Sequence, residues 1–113
     1  MALTITNIVF DCHDPTRLAS FWAAALGYAV NADDPDHAWA YDPRRTKPYL
    51  LFNKVPEPKV VKNRMHLDLD TDDVDAEIAR LEALGARKLQ FVNEGERPWW
   101  IMADPEGNEF CVP

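Results

Sequence analysis

Residues 65–85 read MHLDLDTDDVDAEIARLEALG, and residues 5–27 read ITNIVFDCHDPTRLASFWAAALG. Both open with alternating apolar and polar residues, the period of a strand. Both then pass an aspartate and continue with apolar residues at helical spacing. These are Leu18, Phe21, Trp22, Ala25 and Leu26 in one, and Val74, Ile78, Leu81 and Leu84 in the other. Asp14 suits the helix N-cap, because its carboxylate accepts from otherwise unpaired backbone N–H groups. Pro15 suits the first helical position, where no N–H is needed. Asp72 or Asp73 takes the capping role in the later stretch. Gly27 and Gly85 stand where a left-handed C-cap belongs. The capping aspartates Asp14 and Asp73 lie 59 positions apart and the two glycines 58. One plan is written twice.

Outward from each block come three shorter strand-like runs. They cover 28–31, 37–41 and 49–55 after the first helix, and 86–92, 98–103 and 109–112 after the second. Turn residues separate them: Asp33-Asp34-Pro35, Asp42-Pro43, Asn93-Glu94-Gly95 and the run 104–108, DPEGN. Pro56 and Pro58 mark a connector. The expected architecture is α+β, a single domain of two paired βαβββ modules. Module one covers about 1–55, the connector 56–64 and module two 65–113. Neither sheet could bury its apolar face alone, so the modules are expected to pack together.

A chain of 113 residues with 47% hydrophobic and 27% charged residues suits a folded domain of this size. Its net charge of −7 repels phosphate backbones and anionic lipid, which argues against nucleic-acid and membrane-surface partners. No apolar run is long enough to span a bilayer, and the N-terminus carries no basic stretch followed by an apolar one. Two cysteines, Cys12 and Cys111, are too few for a disulfide scaffold. The expectation is a cytoplasmic protein with reduced thiols.

Strand alternation sorts the remaining residues by face. Ile8, Phe10 and Cys12 face the first helix, and Asn7, Val9 and Asp11 face away. Met65, Leu67 and Leu69 are expected against the second helix, leaving His66, Asp68 and Asp70 opposite. Glu109 and Cys111 share a face on the last strand, as do His37, Trp39 and Tyr41 on the third. Aromatic walls with a few polar groups are the usual make-up of a ligand pocket. Trp99 and Trp100 must face opposite ways, and Trp100 is taken here as the one lining the pocket.

The doubled pattern, together with FWAAALGY, HLDLDTDDVDAEIARLEALGA and WWIMADPEGNEF, resembles the vicinal oxygen chelate superfamily, in its glyoxalase-like or bleomycin-resistance-like branch. The resemblance covers nearly the whole chain. It implies two βαβββ modules curling into a cup, and commonly a homodimer. It also implies a divalent metal held from the first, fourth, fifth and eighth strands, typically by His or Gln, Glu, His and Glu. Carried across, those positions are Asn7, Asn53, His66 and Cys111, and only His66 matches. Neutral amides are weak ligands, and one imidazole with one thiol is an incomplete zinc set. No cofactor is therefore expected; a divalent metal is disfavoured. Glu109 could replace the missing carboxylate only through a two-residue shift, about 7 Å along a strand.

His66 is open to three readings: metal ligand, catalytic or substrate contact, or hydrogen-bonded structural histidine. An imidazole titrates near neutrality and suits proton transfer. Asp68 either orients it or shares its chemistry. Cys111 has no evident cation or helix N-terminus to activate it and reads best as a small buried hydrophobe. The favoured partner is a small organic molecule held by Asn7, Trp39, Tyr41, Asn53, Trp100, Glu109 and Cys111, with His66 and Asp68 as the candidate catalytic pair. The aspartates are expected to favour neutral or cationic ligands. Three functions stay open: a metal-independent glyoxalase-like lyase or isomerase, a drug- or metabolite-sequestering binding protein, and an interaction module without a ligand.

Overall fold

The structure is a computed structural model describing residues 2–94 and 98–113. It divides into two units, Met1–Pro58 and Lys59–Pro113. The first contains β1 (Asn7–Cys12), α1 (Pro15–Leu26), β2 (Ala29–Asp34), β3 (His37–Tyr41) and β4 (Tyr49–Lys54). The second contains β5 (Leu67–Asp68), α2 (Val74–Leu84), β6 (Arg87–Val92), β7 (Trp99–Ala103) and β8 (Glu109–Val112). Each unit is βαβββ, and the class is α+β. The strand orders, β1-β4-β3-β2 and β5-β8-β7-β6, are the same order repeated. In both, the strand before the helix pairs in parallel with the last strand of its unit.

In the first unit, Asp14 caps α1 by accepting from the Arg17 N–H at 3.2 Å, and Pro15 opens the helix. Gly27 ends it at φ +70°, a conformation that costs a residue with a Cβ. The stripe buries Leu18, Phe21 and Trp22, joined by Ala19 and Ala23. Beneath it, Ala38 and Ala40 of β3 are fully buried, so the helix approaches over two methyl groups. Phe10 stacks on Phe52 at 5.0 Å between ring centroids and meets Trp22 at 6.0 Å. The face assigned to the core by alternation is the buried one.

In the second unit, Asp73, rather than Asp72, caps α2, accepting from the Ala76 N–H at 3.1 Å. Ile78 and Leu81 bury their side chains, while Leu84 at the helix end is exposed. Met102, Phe110 and Val112 supply the sheet's share of the core. The 104–108 turn is built around Asp104, which is 1% exposed. Its carboxylate accepts from the N–H groups of Glu106 and Asn108 and from the Asn108 side-chain amide. The 93–95 turn expected from sequence lies partly outside the described residues.

The fifth strand departs from expectation. A six-residue strand over 65–70 contracts to Leu67–Asp68, and Met65 is 76% exposed rather than packed on the helix. The ladder holds Leu67 opposite Phe110 and Asp68 opposite Cys111, and the Leu69 N–H donates to the Cys111 carbonyl at 2.8 Å. At the other end, the Asn63 side-chain amide donates to the Glu109 carbonyl at 3.2 Å. That acceptor is used by a side chain from the connector, and regular pairing stops there.

Candidate functional site

Strand register assembles a site within the second unit. Asp68 on β5 lies opposite Cys111 on β8, which lies opposite Ile101 on β7. The three make one row across neighbouring strands, and such partners share a face. Two residues along each chain, the same face carries His66, Glu109 and Trp99. Together with Lys62 and Pro113, these residues line an open cavity of about 490 Å³. Trp99, not Trp100, therefore forms the aromatic wall. Trp100 alternates to the other face, where its ring meets Phe91 at 5.0 Å and carries the Lys88 ammonium at 4.9 Å.

His66 and Asp68 are in direct contact, Nε2 to Oδ1, at 3.1 Å. With the proton on Nε2, the imidazole donates to the carboxylate and leaves Nδ1 as an acceptor. Cys111 is 9% exposed. Burial pushes its thiol pKa above the ordinary value. The Asp68 charge and the hydrogen bond to that carboxylate add to the rise, against a smaller opposing pull from Lys62. At neutral pH the group is a thiol, not a thiolate. This agrees with the buried-hydrophobe reading and removes the chemistry of an activated cysteine.

Glu109 is fully engaged. Its Oε1 accepts from Lys59 Nζ at 2.6 Å and its Oε2 from the Asn63 N–H at 2.8 Å. Its pKa lies below the ordinary value: burial would raise it, but the Lys59 ammonium and the Asn63 N–H more than offset that cost. This clasp was missed from sequence because Lys59 and Asn63 sit in a proline-marked connector, about fifty residues from Glu109. Ile101 was also missed, although alternation from Trp99 could have placed it.

The other expected contacts lie in the first unit. Asn53 on β4 has its amide oxygen 2.8 Å from His37 Nδ1. Trp39 and Tyr41 each meet Tyr49 edge-on, at 6.5 and 6.3 Å, and the Arg45 guanidinium covers Tyr41 at 4.5 Å. Asn7 Oδ1 is buried with no hydrogen-bond partner among the described residues, at a cost of about 1–3 kcal/mol.

As metal donors, one nitrogen of His66, one oxygen of Asp68 and the Cys111 sulfur lie within 4.8 Å of one another. The spacing is compatible with a shared ion, but the donor chemistry fits one poorly. The set offers one imidazole, one carboxylate and one thiol that would have to give up its proton, and the neighbouring Glu109 carboxylate is taken by Lys59. Hard divalent cations prefer several free carboxylates, and zinc prefers thiolates and additional imidazoles.

The sequence model of a glyoxalase-like domain matches residues 7–113. Solved structures share the fold at low identity. A glyoxalase/bleomycin resistance protein/dioxygenase family enzyme from Burkholderia phytofirmans PsJN aligns with a TM-score of 0.75 at 19% identity, covering 97% of each chain. The bleomycin-binding protein of Streptomyces verticillus, solved with copper(II)-bleomycin, gives 0.63 at 18%, covering 99% of this chain and 96% of that one. A fosfomycin resistance protein of Listeria monocytogenes, solved with Mn(II) and a dihydroxypropylphosphonic acid, gives 0.77 at 12%, covering 99% and 90%. No protein among those with curated functions matches the chain.

Proposed function

The chain belongs to the glyoxalase-like domain family, and from that premise we propose that it binds a small organic molecule in the second unit's cavity without a metal ion. The observation that carries this reading is the composition of the cavity. Trp99 and Ile101 offer apolar contact, and the His66–Asp68 pair supplies an orienting polar group. Asn7, with its orphaned amide oxygen, Trp39, Tyr41 and Asn53 belong to the first unit and line none of this cavity; they are kept as proposed ligand contacts within that unit alone. Two relatives by fold bind bleomycin and a phosphonic acid, so sequestration of a drug or metabolite suits this reading. Lyase or isomerase chemistry is a second reading, favoured by the 3.1 Å His66–Asp68 contact. His66 would accept a substrate proton at Nδ1, and Asp68 would stabilise the resulting imidazolium. The same reading takes the chain as one domain, a homodimer, and cytoplasmic. Among the described residues no helix is long and apolar enough to cross a membrane.

The test is a fragment screen by intrinsic fluorescence on EDTA-treated protein. Hits should quench wild type, lose most of the signal change in Trp99→Phe, and bind at least tenfold more weakly in His66→Ala, about 1.4 kcal/mol. Hits that appear only when a divalent metal is restored would refute metal independence. Hits indifferent to both substitutions would refute the cavity.

A further inference from the structure

The charges around the cavity are unequally satisfied. Asp68 accepts from His66 and sits across the ladder from the Cys111 thiol. Glu109 accepts from Lys59 and Asn63. Lys62 is the charged lining side chain with no ion pair or hydrogen bond among the described residues. Its backbone is nonetheless anchored. Asn63, the next residue, bonds Glu109 through both its N–H and its side-chain amide, and Lys59, three residues earlier, bonds the same carboxylate. The cation is thus held at the rim by a fixed segment while its ammonium remains available. Its charge reaches the cavity floor, where it acts on the Cys111 thiol.

We propose that Lys62 reads an acidic group, so that the occupant of this cavity is a small organic anion: a carboxylate on a flat apolar body. The carboxylate takes the Lys62 ammonium, and the apolar body lies on Trp99 and Ile101. This rests on the binding reading above and names its ligand class. It reverses the expectation, drawn from the aspartates alone, of a neutral or cationic ligand. Glu109 is neutralised by Lys59 and the Asp68 carboxylate is engaged by His66, whereas the Lys62 ammonium has no partner among the described residues. The chain's net charge of −7 acts at long range, but physiological salt screens it beyond about 8 Å, leaving the nearest charges to decide.

The test titrates the full chain with naphthoate, naphthamide and naphthylmethylamine, following backbone amide shifts. Naphthoate should move the amides of residues 62, 66, 99 and 101 and bind about fivefold or more tightly than the amide. Added salt should shrink that preference. Lys62→Gln should abolish it and Lys62→Arg should keep it, with the thermal midpoints unchanged because the side chain is exposed. If the three probes bind equally, if the amine wins, or if the preference survives in Lys62→Gln, this inference is wrong while the binding reading stands. If none of the three moves the cavity amides, the binding reading falls and the inference with it.

Discussion

Replacing Glu109 by Gln removes one negative charge from a sheltered clasp while keeping the side chain's shape. The carboxylate and its Lys59 partner are 14% and 19% exposed, and the pair is 2.6 Å long. Glu109 also accepts the Asn63 N–H at 2.8 Å. Hydrogen bonds to a charged group contribute about 1.5–3 kcal/mol each. Gln keeps one acceptor, and Lys59 can swing into water, so we expect a net loss of about 2 kcal/mol. For a domain of this size that is a fall of roughly 10 °C in Tm. The carboxyl's folded pKa lies below its ordinary 4.5. Its stabilisation is therefore complete above that unfolded value and is lost as pH falls through the lower folded one. Urea unfolding of both proteins should show a constant gap at neutral pH that narrows as pH falls below the ordinary carboxyl value. Lys59→Met should cost a similar amount, and the double variant should cost less than the sum. A gap below about 0.5 kcal/mol at neutral pH, or one that persists unchanged in acid, would refute the clasp.

Other outcomes follow from the same structure. Cys111 should react with iodoacetamide at least about tenfold more slowly than a free thiol at pH 8. Asp68→Asn should speed that reaction by removing a charge that raises the thiol's pKa, as site-resolved mass spectrometry would show. Asp104→Ala should cost about 2–4 kcal/mol by chemical denaturation, because three backbone and side-chain N–H donors lose their buried acceptor. Light scattering at tens of micromolar should give the mass of a dimer, and a monomer there would count against the proposed assembly.

The repeat, the helix ends and the faces of the strands are legible in the chain's local order of residues. Each of these depends on neighbours within about four residues: Asp14 on the Arg17 N–H, Asp73 on the Ala76 N–H, and side chains that alternate on a strand whatever it pairs with. Those rules placed His66 with Asp68 and Glu109 with Cys111, and set Phe10 and Trp22 on the faces that meet between helix and sheet. Tertiary structure alone decided how the site's groups are charged and partnered. Lys59 reaches Glu109 across fifty positions only because the connector folds back along β8. The same return takes the Glu109 carbonyl for Asn63, where β5 was expected to continue. Cys111 is held as a thiol by burial and by Asp68 across the ladder. Trp99 rather than Trp100 faces His66 because β7 takes the register that sets Ile101 opposite Cys111. Alternation shows that two tryptophans part, but register decides which one meets the site, because pairing between distant strands depends on which partner edge and which core each strand finds.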